Sequence, residues 1–101
     1  MSRYRLSRAA DLDLEMIFWD GLERFGPART ERYLTDLEQT FDYLSQYPEV
    51  TRLRTEVVPP VRAYSQDAHV IIYEIENDGI FILRIRSARE NWISDPIGDD
   101  L

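Results

Sequence analysis

Large apolar residues alternate with other residue types twice in the C-terminal half of this chain, over residues 69–76 (HVIIYEIE) and 80–87 (IFILRIRS). A period of two is the pattern of a pleated strand, and Asn77-Asp78-Gly79 between the runs marks a turn, so an antiparallel hairpin is expected. Opposed residues share a face, and a core face should be uniformly apolar. A tight Asp78-Gly79 turn sets Glu76 against Phe81 and Glu74 against Leu83. A three-residue loop, with Gly79 in the left-handed position of a bulged turn, instead pairs Ile75 with Phe81, Tyr73 with Leu83 and Ile71 with Ile85, and is the predicted register. The second face then carries Val70, Ile72, Glu74, Glu76, Ile80, Ile82, Arg84 and Arg86. Half apolar and half charged, it is expected to meet a partner.

The N-terminal half has helical spacing. Arg3 to Leu6 fit a short edge strand, and Ser7 is placed to cap a helix whose first turns carry Asp11, Asp13 and Glu15. Leu14, Ile17, Phe18, Gly21, Leu22 and Phe25 form its apolar stripe, with Met16 and Trp19 off centre, and Gly26 ends it. Pro27 suits the first turn of a second helix, whose stripe of Ala28, Tyr33, Leu34, Leu37, Phe41, Leu44 and Tyr47 runs to Pro48. So short a junction predicts an antiparallel helical hairpin. Residues 48–60 lack periodicity and read as a loop, 61–64 as a strand, 66–68 as a turn, and 89–94 as a short helical turn carrying Trp92 and Ile93.

The predicted class is α+β: a strand, an antiparallel helical hairpin, then a three-strand antiparallel meander and a short C-terminal helical turn, with both helices on one face of the sheet. One domain is expected over 1–101, with 96–101 a frayed tail.

The chain has no cysteine, which excludes disulfides, thiolate metal sites and a cysteine nucleophile. No run resembles a signal peptide or spans a bilayer, so a cytoplasmic protein without membrane contact is expected, and no cofactor motif is present. All 12 basic residues are arginine, against 19 acidic ones, for a formal charge of −7. That balance disfavours strong nucleic-acid binding and favours a basic partner segment.

The order of elements resembles the RelE/ParE superfamily of bacterial toxins, the ParE branch in particular. The residues that carry the likeness are the Leu-Ser-x-x-Ala-x-x-Asp-Leu entry at 6–14, Phe25-Gly26 between the helices, Tyr33-Leu34, the Pro48 stop, and His-Val-Ile-Ile-Tyr at 69–73. The resemblance implies a toxin of a type II toxin-antitoxin module that inhibits DNA gyrase, and hence replication, by binding rather than catalysis. It also implies a hetero-oligomer with a ParD-like antitoxin, itself a ribbon-helix-helix DNA binder. The alternative within the superfamily is a RelE-like ribosome-dependent mRNA endoribonuclease. Such a site needs acid-base groups and cations around the scissile phosphate. This chain has no lysine, and Ser87-Ala88-Arg89 stands where many relatives show His-Gly-Arg.

On this basis Val70, Ile72, Ile80, Ile82, Arg84 and Arg86 are expected to bind antitoxin, and Arg62, Arg86, Arg89 and Trp92 to bind the target. Arg62, Arg84, Arg86 and Arg89 form either one cationic patch or an internally paired set, for example Arg84 with Glu74. Trp92 either packs the C-terminal turn onto the sheet or anchors a partner. His69 is read as structural, bonded to backbone or a turn, and Tyr33 and Phe41 as core.

Overall fold

The computed structural model describes residues 3–98. Strand β1 (Tyr4–Leu6) is followed by helices α1 (Arg8–Phe25) and α2 (Pro27–Gln46), a short 3-10 turn at Pro48–Val50, strands β2 (Arg62–Gln66), β3 (His69–Glu76) and β4 (Gly79–Ser87), and a second 3-10 turn at Trp92–Ser94. The α+β class and the element order agree with the sequence reading. The sheet order is β1-β4-β3-β2, with β2, β3 and β4 an antiparallel meander. β1 pairs with β4 in parallel, Tyr4 beside Ile80 and Leu6 beside Ile82, a feature the sequence did not indicate.

The helix boundaries follow their local chemistry. The Ser7 hydroxyl accepts the Ala10 amide at 2.9 Å, satisfying one of the orphan donors of the first turn, and donates to the Leu83 carbonyl at 2.6 Å. Gly26, at φ +79°, is the sole residue between the helices, in a backbone conformation that a side chain disfavours. Pro27 then opens α2. The hairpin packs closely because Gly21 faces Thr30: a Cβ at position 21 would sit 2.7 Å from the Thr30 hydroxyl.

The register of the main hairpin differs from the expected one. Asn77 and Asp78 form a two-residue turn between Glu76 and Gly79, and Ile75 opposes Ile80 and Tyr73 opposes Ile82. The extra residue lies further along, where the pairing shifts between Ile72 and Tyr73 and leaves Leu83 as a bulge. Beyond it the expected pair Ile71–Ile85 is restored. Gly79 is nearly extended, at φ +159°, so the left-handed role assigned to it is corrected. Its requirement is steric, since a Cβ there would lie 1.9 Å from the Arg3 carbonyl oxygen as β1 closes on the sheet.

The shift exchanges residues between faces. The helix-side core is built from Ala10, Leu37, Phe41, Leu44, Ile71, Tyr73, Ile80, Ile82 and Ile85. Ile80 and Ile82 therefore point into the core rather than onto the second face. Phe81 and Leu83 are only half-buried, and Ile75 is exposed. The second face is not open either. Val57, Val61, Ala63 and Trp92 cover Val70 and Ile72, with Leu83 and Ile97 packed alongside. The 48–60 loop supplies part of that cover through Val57, with Arg54 bridging to Val61, and its start is tied to the helix-side core, where the Tyr73 hydroxyl bonds Thr51 Oγ1 at 2.8 Å and the Pro48 carbonyl at 2.9 Å. The fraying expected from residue 96 is corrected through Gly98, because Pro96 is buried and Ile97 half-buried. Residues 99–101 lie outside those described.

Candidate functional site

β1 is only three residues long, so the C-terminal half of β4 has no strand on its outer edge. The start of α1 fills that place. Asp13 accepts the Ile85 amide at 2.9 Å, where a longer β1 would have accepted it, and takes Arg84 Nε at 2.7 Å and Nη2 at 2.9 Å. Both side chains of this pair are largely buried. The Asp13 carboxylate, bonded to the Arg84 guanidinium, raises the arginine's pKa further. The third nitrogen of Arg84 bonds the Ile97 carbonyl.

Arg86 behaves similarly. Nε and Nη2 take the Glu90 carboxylate at 3.1 Å each, and Nη1 donates to the carbonyls of Asp95 and Pro96 at 2.9 and 3.2 Å. Glu90 also accepts the Ser87 amide, and its pKa falls below the usual carboxylate range chiefly through the Arg86 bond. Two arginines on β4 thus hold residues 95–97 against the sheet. Trp92, 7% exposed, closes the same layer with the Arg54 guanidinium 5.2 Å over its ring. Arg62 is half-buried and bonds the Thr51 carbonyl.

The expected cationic patch is therefore corrected. Arg62, Arg84 and Arg86 turn to internal acceptors, and Arg84 pairs with Asp13 rather than Glu74; Arg89 alone of the four is exposed. The structure gathers Val70, Ile72, Arg84, Arg86 and Trp92 on the face covered by the C-terminal segment, and places Ile80 and Ile82 across the sheet beneath the helices, with Arg62 on their side of the sheet beside Tyr73.

His69 opens β3, and its Nδ1 lies 2.6 Å from the Tyr33 hydroxyl, which also reaches the Gln66 carbonyl at 3.3 Å. The partner is a helix side chain rather than the backbone or turn expected. Burial lowers the His69 pKa, opposed by Asp13 and Asp67, and pushes the Tyr33 hydroxyl up to about 12, assisted by Asp67 and Asp36. A neutral imidazole fits the lowered His69 pKa; with its Nδ1 protonated it donates to the Tyr33 oxygen while the Tyr33 hydroxyl donates to the Gln66 carbonyl. At the hairpin tip Arg5 stacks 3.8 Å over the Phe81 ring and takes both oxygens of Glu76, so this arginine too is internally engaged. Among the described residues no group of His, Asp and Glu is arranged to hold a metal ion, and no helix is long and apolar enough to cross a membrane.

The open apolar surface lies on the helical layer. A depression of about 420 Å³ runs between α1, α2 and β1, lined by Tyr4, Leu6, Leu14, Phe18, Leu34 and Phe41, with Asp11, Glu15 and Glu38 at its rim and Trp19 at one wall. Sequence reading placed Leu14, Phe18, Leu34 and Phe41 on the helical stripes and Tyr4 and Leu6 in an edge strand, and Phe41 is indeed buried. The groove between them was not foreseen; the signal available was Trp19, set off the stripe.

Residues 4–92 match the family model described as ParE toxin of type II toxin-antitoxin system, parDE. Toxin ParE1 of Mycobacterium tuberculosis strain H37Rv is 33% identical over 89 residues, covering 87% of this chain and 91% of the relative. Toxin ParE3 of Caulobacter vibrioides is 30% identical over 91 residues, covering 90% and 91%. The solved structure titled Chromosomal ParDE TA system from P. aeruginosa superimposes with a TM-score of 0.73 at 24% identity, over 86% of this chain and 96% of that one, and supports the fold. With its capped helical hairpin and its meander closed by an N-terminal strand, this chain belongs to the ParE toxin family of type II toxin-antitoxin systems.

Proposed function

We propose that this ParE-type toxin acts by binding rather than by catalysis, in the cytoplasm, with DNA gyrase as its target and a ParD-like antitoxin as its neutralising partner. The observation that carries the binding reading is the engagement of the arginines on and beside β4. A nuclease needs cations converging on an open phosphate position with an acid-base group beside it. Here Arg84 and Arg86 are spent on Asp13, Glu90 and the carbonyls of 95–97, and the His69 ring nitrogen is held by Tyr33. The ribonuclease alternative rests on that His69–Tyr33 pair, with His69 paired to Ser87 at the end of β4.

Antitoxin docking is assigned to the groove between α1, α2 and β1, because apolar surface that the fold leaves uncovered is the usual mark of a partner site. β1 adds an unpaired outer edge beside it. Val70, Ile72, Ile80 and Ile82 are buried in the free toxin and would meet a partner only after their covers move. Target contact is assigned to the C-terminal region, where exposed Arg89 follows Arg86 and precedes the buried Trp92; Arg62 lies at the other end of β2, beside Tyr73.

Purified toxin at micromolar concentration should inhibit gyrase supercoiling or stabilise cleaved DNA, and a ParD-like antitoxin should reverse the effect. Codon-positioned mRNA cleavage on ribosomes, with gyrase untouched, would instead establish the ribonuclease reading.

A further inference from the structure

α1 carries a second apolar stripe. Its core face is built from Ala10, Leu14, Ile17 and Gly21, whereas Leu12, Met16 and Trp19 lie at steps of four and three residues on the side roughly half a turn away. They are 38, 64 and 61% exposed. For the tryptophan and methionine of an 18-residue helix to stand in solvent on one line is unlike the scattered single apolar residues of an ordinary surface. Trp19 also forms one wall of the interhelical groove, so the stripe continues the apolar surface around α1.

The charges beside this stripe select its occupant. Glu15 flanks it on the groove side, Asp20 on the other, Glu23 continues its line one turn on, and Asp11 stands ahead of Glu15; all four are exposed. Among the described residues none of them makes an ion pair, whereas Glu56, Glu76, Glu90 and Asp13 are each matched by an arginine. The only cations on α1, Arg8 and Arg24, stand near its two ends. A second copy of this chain would bring carboxylates against carboxylates, and an anionic lipid surface would be repelled in the same way.

We propose that the Leu12–Met16–Trp19 face of α1 is a docking seam for a cationic amphipathic helix of a protein partner. The partner's apolar residues pack on Met16 and Trp19, and its arginines or lysines meet Glu15, Asp20 and Glu23. The apolar seam supplies affinity, while the carboxylates set orientation and accelerate encounter.

The test uses the full chain and a leucine-lysine amphipathic peptide of roughly five helical turns. Trp92 is buried and Trp19 exposed, so the long-wavelength emission and its collisional quenching report Trp19. Saturable binding with a blue shift of that emission is expected, weakening as salt rises. Met16→Glu and the pair Glu15→Lys with Glu23→Lys should each lower affinity about tenfold, the latter mainly through association rate. Glu49→Lys, exposed on the 3-10 turn after α2 and outside both groove and seam, should stay within about threefold. The proposal is overturned if a leucine-glutamate peptide binds equally well or if Met16→Glu leaves affinity unchanged. It is equally overturned if the chain self-associates through Trp19 without peptide, or if anionic vesicles produce the same Trp19 shift. Circular dichroism of each variant establishes that the fold is retained.

Discussion

Asp13 receives both Arg84 Nε and the Ile85 amide, so one carboxylate ties the first helix to the last strand where β1 has already ended. Removing it strands a largely buried guanidinium and a backbone donor together. Asp13→Ala should lower stability by about 3 kcal/mol. Asp13→Asn should cost less, because its amide oxygen still accepts from Ile85. Urea unfolding measures both, and an alanine variant within about 0.5 kcal/mol of wild type would contradict the role described.

The His69–Tyr33 contact makes stability depend on pH. The folded-state pKa of His69 lies below the ordinary 6.5, so folding favours the neutral ring. Its contribution is complete above pH 6.5 and is lost as the pH falls through the folded value. Tyr33 is shifted the other way, and its contribution is present below pH 10 and lost as the pH rises through about 12. His69→Gln should flatten the decline in stability just below pH 6.5 while leaving the later decline, near the carboxylates Glu56, Glu76 and Glu90, in place. Thermal unfolding between pH 5 and 7 checks this, and an unchanged slope in the variant would count against it.

Gly21 and Thr30 set how closely the two helices approach. Gly21→Ala should cost about 2 kcal/mol despite alanine's higher helix propensity, because the new methyl meets the Thr30 side chain. In a Gly21→Ala/Thr30→Ala double variant, a coupling of about 1 kcal/mol should recover part of that loss. Strict additivity would place the clash elsewhere.

Trp92 seals the second sheet face. Trp92→Ala should destabilise the fold by about 3–4 kcal/mol and bare Val70 and Ile72. Increased dye binding to exposed apolar surface and faster proteolysis within residues 91–98 are the expected readouts. Protection equal to wild type would mean that the arginine contacts alone retain the segment.

Much of the architecture was legible because its signals are local. Ser7, Gly26, Pro27 and the two stripes report the helices through caps and spacing, and Asn77-Asp78-Gly79 marks a turn between two strands, though not its length. The strand register was not legible for a definite reason. Ile80, Phe81, Ile82 and Leu83 are all apolar, so a slip of one residue leaves either face plausible, and the bulge at Leu83 hides half of the error by restoring Ile71–Ile85. The covers that decide the matter, Val57, Val61 and Trp92, sit in segments without periodicity. The pairing of Arg84 with Asp13 spans the length of the chain and leaves no trace in neighbouring residues. For the candidate site this meant that a covered face was read as open, while the groove along α1 was not foreseen.

The parallel seat of Tyr4–Leu6 beside Ile80–Ile82 bears on how the protein is made. A ribosome threading out this chain releases β1 well before β4, its neighbour in the sheet, so nascent products that end before β4 carry an unmatched β1. Protease probing of ribosome-arrested chains ending before residue 80 should find that strand unprotected. Tyr4 and Leu6 also line the groove assigned to the antitoxin, so its floor is assembled only after β4 has emerged. A partner that needs this groove would therefore find it only on chains in which β4 is already in place.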